Sequence, residues 1–223
     1  MNNGNFRKYL IYAIGEIVLV VMGILIALSI NNWNNQKLDR KEEFQIYKNL
    51  KNQIKEDKEV IEGVVDYNNI YLQQYNFAHQ IIEENDRSKI DTLKKMAFNL
   101  YRYSDINIGS TIYQNMANSG ELKLLKNSSI IDRLQGLEVL YIFMNRLEEN
   151  HFQMILSFVG AEMLDNINLS TGEIERPDDL YNLAFHNKFL AFRVIMNEKS
   201  DVYQRALNEI DLITKLIDEE LKR

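Results

Sequence analysis

An unbroken apolar run near the N-terminus constrains this chain most. Tyr9–Ile30 reads YLIYAIGEIVLVVMGILIALSI and carries a single charge, at Glu16. As an α-helix this run would be about 33 Å long, and the hydrocarbon core of a bilayer is about 30 Å thick. We therefore predict a transmembrane helix over residues 9–31. Aromatic side chains often lie where a span meets the lipid headgroups, and the candidate interface anchors are Tyr9, Tyr12 and Trp33.

A cleaved signal peptide is the competing interpretation of this run. Its apolar region would be shorter, about 7–15 residues, and would end in a small-x-small cleavage site. Here the run ends in Ser-Ile-Asn-Asn-Trp-Asn-Asn, which offers no such site. An uncleaved single-pass anchor is therefore the better interpretation. The basic residues near its ends leave the orientation open, because two precede the run and three follow it.

A carboxylate and a row of small residues lie inside the predicted span. A charged side chain at the bilayer centre costs about 2.5–3.5 kcal/mol on insertion scales, and less near the edge. Small residues recur at Gly15, Gly23 and Ala27, and a small-x-x-x-small step lets two helices approach closely. Glu16 lies seven residues before Gly23 and shares a face beside this row. We interpret the face as a helix-packing candidate, and an interfacial Glu16 or a proton path remain alternatives.

The composition of the remaining chain excludes several classes. Residues 32–223 carry 24 basic and 31 acidic side chains, whereas a non-specific nucleic-acid binder usually presents a basic face. The chain has no Cys, which excludes disulfides, thiol catalysis and Cys-based zinc sites. It has one Pro, so long helices are favoured. We expect integral membrane association and no nucleic-acid partner.

Helical periodicity dominates residues 32–223. Apolar residues spaced three and four apart predict a helix from Lys37 to about Glu84, which can continue the transmembrane helix. We predict the fold class all-α, with an N-terminal transmembrane helix after a short tail (1–8), followed by an antiparallel bundle of long helices over 32–223. We predict a second helix that starts after Ser88, with Ser88-x-x-Asp91 as its cap, and a short third helix over Ser110–Asn118 that ends at Gly120. A long helix is predicted to begin at Ser128 or Ser129, with Ser129-x-x-Asp132 as its cap, and to reach towards Leu164. A loop over 165–176 follows, then Pro177 in the first turn of the next helix, and a helical stretch over Leu180–Leu221 with a break at Asn197–Ser200.

Two blocks of the sequence resemble a known family. The segment YAIGEIVLVVMGILIALSINNWNN is similar to the N-terminal signature of a family of membrane-anchored Bacteroidota proteins with a domain of unknown function, and Glu16 matches that signature. The second block, Thr111–Leu134, carries the resemblance at Gly120, Leu122, Leu125, Lys126 and Asn127. The resemblance implies a bacterial inner-membrane protein with a cytoplasmic N-terminus and a periplasmic C-terminal domain. Relatives often have longer basic N-termini, of which this chain has Arg7 and Lys8.

The candidate chemistry is sparse. Glu148-x-x-His151 has the spacing of a di-iron motif, but such a site needs two motifs of this kind, and neither His79 nor His186 has a Glu three residues before it. His151 lies on an apolar stripe, which favours a core histidine; a pH-responsive Glu148–His151 pair stays open. The sequence contains no phosphate-binding loop, dinucleotide fingerprint or nucleophile elbow. We therefore predict no catalytic residue, no cofactor and no metal.

These observations favour a non-enzymatic interaction or sensing module of the bacterial cell envelope, anchored by one helix. We expect a protein partner or a homo-oligomer. One alternative is a homo-oligomeric membrane assembly that uses Glu16 in a proton or ion path. A weaker alternative is an enzyme that uses surface carboxylates or His151.

Overall fold

The computed structural model describes residues 3–104, 106–109, 111–160, 165–168 and 170–223, with side chains from Ile14 onward. Helices make up nearly all of it, so the predicted all-α class is confirmed. The chain divides into two compact units, residues 1–48 and 49–223. The elements, in chain order, are α1 (Asn3–Glu83), α2 (Ile90–Asn99), α3 (Ile112–Ser119), α4 (Ser128–Met154), β1 (Ile167–Asn168), β2 (Glu173–Ile174) and α5 (Leu183–Glu220).

Helix α1 contains both the apolar run and the amphipathic stretch that follows it, so the two predicted helices form one element. No Pro interrupts its 81 residues, and Pro is the residue that most strongly breaks a helix interior. In the first unit, every residue from Ile14 to Asp39 is exposed. Trp33 is among them, whereas the side chains of Tyr9 and Tyr12 lie outside the described residues.

The second unit is built around three long helical segments, namely residues 49–83 of α1, all of α4, and α5. Ion pairs join Lys51 to Asp218 at 2.5 Å and Lys58 to Asp211 at 2.6 Å, so residue numbers rise along α1 as they fall along α5. Along α4 and α5, Arg133 contacts Glu209 at 2.9 Å and Glu148 contacts Lys199 at 2.8 Å, so residue numbers rise along α4 as they fall along α5. Helix α5 is therefore antiparallel to both of its neighbours.

Fully buried aromatic rings fill the space between these helices. Tyr75 of α1 lies 6.1 Å, centroid to centroid, from both Phe189 and Phe192 of α5. Burying rings of this size supplies much of the hydrophobic stabilisation of a core. The Tyr75 hydroxyl donates to the backbone carbonyl of Asn99 at 2.9 Å, which keeps its polar end satisfied.

Two predicted capping signals are wrong. Helix α4 is capped by Asn127, whose side chain accepts from the backbone N–H of Ser129 at 3.1 Å. Before α2, Asp86 accepts from the backbone N–H and the hydroxyl of Ser88, so Ser88 lies inside a short 3₁₀ turn rather than at a cap. In both places an Asx side chain two residues earlier captures the N–H group first. Gly120 ends α3 with φ +83°, as predicted.

The predicted break at Asn197–Ser200 is also wrong, because α5 is continuous from Leu183 to Glu220. The polar run there indicated a turn, yet Lys199 faces the core and is 0% exposed. The start of this helix is also shifted, since Pro177–Tyr181 forms a 3₁₀ helix and Asn182 caps α5.

The segment between α4 and α5 differs partly from the predicted loop. Helix α4 ends at Met154 and continues as a π-helical turn over Ile155–Gly160, while residues 161–164, and with them Leu164, lie outside the described residues. The predicted loop contains the antiparallel pair β1 and β2, with Gly172 at φ +73° in the turn between them. A positive φ suits Gly, because other residues meet a steric penalty there.

Candidate functional site

A group of polar side chains lies inside the second unit, between α4 and α5. We call Ser104, Glu148, His151, Lys199 and Tyr203 the buried cluster. None of the five is more than 7% exposed. Glu148 and His151 are three residues apart on α4, and Lys199 and Tyr203 are four apart on α5, so each pair shares one helix face. Ser104 comes from the segment after α2.

Glu148 is the centre of the buried cluster. Its carboxylate accepts from Lys199 Nζ at 2.8 Å, from the Ser104 hydroxyl at 2.9 Å and from the Tyr203 hydroxyl. Lys199 Nζ also donates to Ser104 Oγ at 2.7 Å. Burial lowers the pKa of Lys199, and Glu148 offsets part of that shift. Burial and the Glu148 carboxylate both raise the pKa of Tyr203, so its hydroxyl keeps its proton and donates.

This arrangement has the chemistry of a buried salt bridge whose charges are compensated by hydrogen bonds. Removing one partner of such a pair leaves an uncompensated charge in the core, which costs about 3–5 kcal/mol. Ser104, Glu148, Lys199 and Tyr203 satisfy one another's hydrogen bonds. These bonds connect α4, α5 and the segment at Ser104.

His151 lies at the edge of the buried cluster. Its Nδ1 lies 3.3 Å from Lys199 Nζ, so the ring accepts from the ammonium and carries its proton on Nε2. That Nε2 has no hydrogen-bond partner among the described residues. Burial, and then the charge of Lys199, lower the pKa of His151 to about 3. The predicted pH-sensing role of Glu148 and His151 stays a prediction, and titration of this ring is expected near pH 3 rather than between pH 5 and 8.

Two surface clefts border the segment between α2 and α3, which contributes Ser104 to the buried cluster. One, of about 510 Å³, reaches Ser104 and is lined by α1 residues that include Tyr67. The other, of about 300 Å³, reaches Glu148 from the α4 side. The segment is held to α4 by Asn145, whose side-chain amide bonds both the N–H and the carbonyl of Ile108 at 3.2 and 3.0 Å. Each cleft therefore ends on one member of the buried cluster.

A second polar group lies where α1 ends and α5 begins. We call His79, Glu83 and His186 the histidine cluster. His79 Nδ1 is 2.6 Å from His186 Nε2, and His79 Nε2 is 3.5 Å from a Glu83 oxygen. One ligand atom from each residue lies within 4.8 Å of the other two, so the group could hold a metal ion. The His79 side chain is 19% exposed and that of Glu83 is 61% exposed.

The sequence analysis did not find the histidine cluster. The di-iron motif has a Glu three residues before a His, whereas Glu83 lies four residues after His79, a spacing that also shares a helix face. Only the packing of α5 on α1 brings in His186, which is 107 residues from His79.

The residues chosen in the apolar run all lie on an exposed part of α1. Gly15, Glu16, Gly23 and Ala27 are exposed, and a Cβ added at either glycine would meet nothing within 4 Å. The small size of Gly15 and Gly23 is therefore not required by packing within the described part of the chain. Their role in contacts between helices stays a prediction.

Fold and sequence together define an all-helical protein in which one helix, near the N-terminus, is long and apolar enough to cross a membrane. The chain belongs to the family of unknown function DUF6090, which it matches over residues 16–166. The predicted membership of a family of unknown function is thereby confirmed, and the match includes the block Thr111–Leu134. No curated protein and no solved structure matches the chain.

Proposed function

We propose that this protein is a single-pass anchored component of the cell envelope of a Bacteroidota bacterium, and that its helical domain is a non-enzymatic interaction or sensing module. The exposed apolar stretch of α1 carries the proposal. Ile17, Leu19 and Val20 are 62%, 71% and 58% exposed. Because neighbouring residues lie on different faces of a helix, the apolar surface extends around the whole helix. A helix that is apolar all round requires a core or a bilayer around it.

The buried cluster supports the non-enzymatic part of the proposal. A general acid, base or nucleophile must come within hydrogen-bond distance of its substrate. Lys199, His151 and Tyr203 are each 0% exposed, and Glu148 is bonded to three neighbours. A structural role accounts for this closure, and the two clefts beside Ser104 and Glu148 offer surfaces for a ligand.

The anchor can be tested by membrane fractionation of the full chain. We expect the protein to remain in the membrane pellet after an alkaline carbonate wash. The double substitution Val18→Arg and Val21→Arg should move it to the soluble or aggregated fraction, because two charges near the centre of a span are costly. The matched control is Val18→Leu with Val21→Leu, which keeps the run apolar. Recovery of the wild-type chain in the carbonate supernatant would overturn the anchor.

Orientation can be tested because the chain has no Cys. We propose a cytoplasmic N-terminus and a periplasmic C-terminal domain, supported by the family resemblance alone. A single Cys at the exposed position Glu198 should react with a membrane-impermeant maleimide in intact spheroplasts. Labelling only after lysis would reverse the orientation.

A second candidate function is a homo-oligomer assembled through the face of Gly15, Glu16, Gly23 and Ala27. The spacing of Gly23 and Ala27 favours it, because a small-x-x-x-small step lets two helices approach closely. Native mass spectrometry of gently extracted full-length protein separates the two candidates. A closed oligomer that carries proton flux lost in Glu16→Gln supports the second, whereas a monomer or dimer with a co-purifying protein supports the first.

A further inference from the structure

Among the described residues, the histidine cluster is the group of partly exposed side chains whose atoms converge as metal ligands do. His79 and Glu83 lie one helical turn apart on α1, and His186 lies in the first turns of α5. We propose that His79, Glu83 and His186 bind one divalent transition-metal ion, with zinc as the best-suited ion. This site goes beyond the proposed function, and a failure of the site leaves the membrane anchor untouched.

The distance between the two rings is the first argument. Their facing nitrogens are 2.6 Å apart, and the ring planes are inclined by 16°. Two imidazole nitrogens at this distance cannot both present lone pairs to each other, so a proton or a cation must lie between them. In the metal-free protein an N–H···N hydrogen bond fulfils this requirement. A metal ion that replaces the proton bonds both rings.

The donor set is the second argument. Two imidazole nitrogens and one carboxylate oxygen suit Zn²⁺ and its transition-metal neighbours, whereas Mg²⁺ and Ca²⁺ prefer oxygen ligands alone. Bonds of about 2.0–2.1 Å in a tetrahedral geometry place ligand atoms about 3.3 Å apart. Metal binding would therefore separate the two facing nitrogens by about 0.7 Å and bring the Glu83 oxygen inward, changes that rotations of partly exposed side chains can supply. Solvent would occupy the fourth position.

The surrounding charges are the third argument. Glu83 is the last residue of α1, where the helix carbonyls favour a cation. The next basic side chain along the sequence, Arg87, does not occupy this place. It donates to Asp178 at 2.6 Å and to Asn85 at 2.9 Å, and its guanidinium stacks on Tyr181 at 3.9 Å.

The test uses full-length protein in detergent, purified through a tag without histidine and stripped with a chelator. Co²⁺ is the probe, because its visible absorption reports the number and geometry of its ligands. We expect one Co²⁺ per chain, a four-coordinate spectrum and displacement by Zn²⁺. Absence of a saturable Co²⁺ spectrum, or a spectrum of fully hydrated Co²⁺, would overturn the proposal.

Matched variants assign the ligands. His79→Gln and His186→Gln should each weaken Co²⁺ binding at least tenfold, and Glu83→Gln should do the same. Glu84→Gln is the control, since Glu84 is the adjacent acid and is exposed outside the cluster. Zn²⁺ should raise the unfolding temperature of the wild-type chain and of Glu84→Gln, but not of the three ligand variants. Equal binding by wild type and His186→Gln would overturn the site, even if both chains fold.

Discussion

The two polar clusters of the second unit solve the same packing problem with different chemistry. Each connects α5 to another long helix through side chains that are charged or can become charged. In the buried cluster, Lys199 and Glu148 neutralise each other, and Ser104 and Tyr203 complete their hydrogen bonds. In the histidine cluster, the side chains of His79 and Glu83 remain partly exposed to solvent, and their ligand atoms lie close together. Full burial with satisfied hydrogen bonds indicates a structural role, whereas partial exposure leaves room for a ligand.

The largest effect is expected from Lys199→Met, which leaves the Glu148 carboxylate buried without its cation. We expect a loss of about 3–5 kcal/mol in the free energy of unfolding, measured by urea titration at pH 7. Lys58→Met is the matched control. Its ion pair with Asp211 is largely exposed, and exposed pairs contribute about 0.2–1 kcal/mol. Similar losses in both variants would contradict the structural role of the buried cluster.

A smaller loss is expected from Tyr203→Phe, which removes one hydrogen bond to the Glu148 carboxylate and leaves the ring in place. Hydrogen bonds to charged groups contribute about 1.5–3 kcal/mol. Urea titration of Tyr203→Phe against Tyr113→Phe, in which the ring is only partly buried, measures the difference. If Glu148 stabilises the fold through these bonds, the double variant Tyr203→Phe with Lys199→Met should lose less than the sum of the single losses.

The pH dependence of stability sharpens the contrast further. The pKa of His151 is lowered to about 3 in the folded chain, whereas an unfolded histidine titrates near 6.5. Between these values the unfolded chain binds the additional proton, so this contribution to stability is complete above about pH 6.5 and is lost as pH falls towards 3. We expect His151 to account for about 1.6 kcal/mol of lost stability between pH 6.5 and pH 5.

The measurement for this prediction is urea unfolding of wild type and His151→Gln over that pH range. The slope of the free energy of unfolding against pH should decrease in the variant by the equivalent of about one bound proton. An unchanged slope in His151→Gln would show that the ring is not held neutral by its surroundings.

The smallest effect is expected from His79→Gln in the metal-free protein. The His79 side chain is 19% exposed, and the substitution removes its hydrogen bond to His186. We expect the free energy of unfolding to fall by about 0.5–1.5 kcal/mol. Thermal unfolding in the presence of a chelator measures it. A loss as large as that of Lys199→Met would mean that the histidine cluster is as essential to the core as the buried cluster.

Features with a local signal could be predicted from the sequence. The apolar run, the amphipathic stretch after it and the stop at Gly120 each follow from residues that are neighbours along the chain. Glu148 and His151 were found as a pair because both lie on α4 three residues apart. Lys199 could not be placed in the core from the sequence, since a polar run resembles a turn unless the partner of its lysine is known.

The sequence by itself therefore determined the helical class and the exposed apolar helix, because periodicity and composition act over a few turns of one helix. The tertiary structure decided which polar residues matter. Lys199 meets Glu148 across 51 residues, and His186 meets His79 across 107. The energy of a buried charge depends on what lies within a few ångströms of it in space, and only the packing of α5 on α1 and α4 sets those distances.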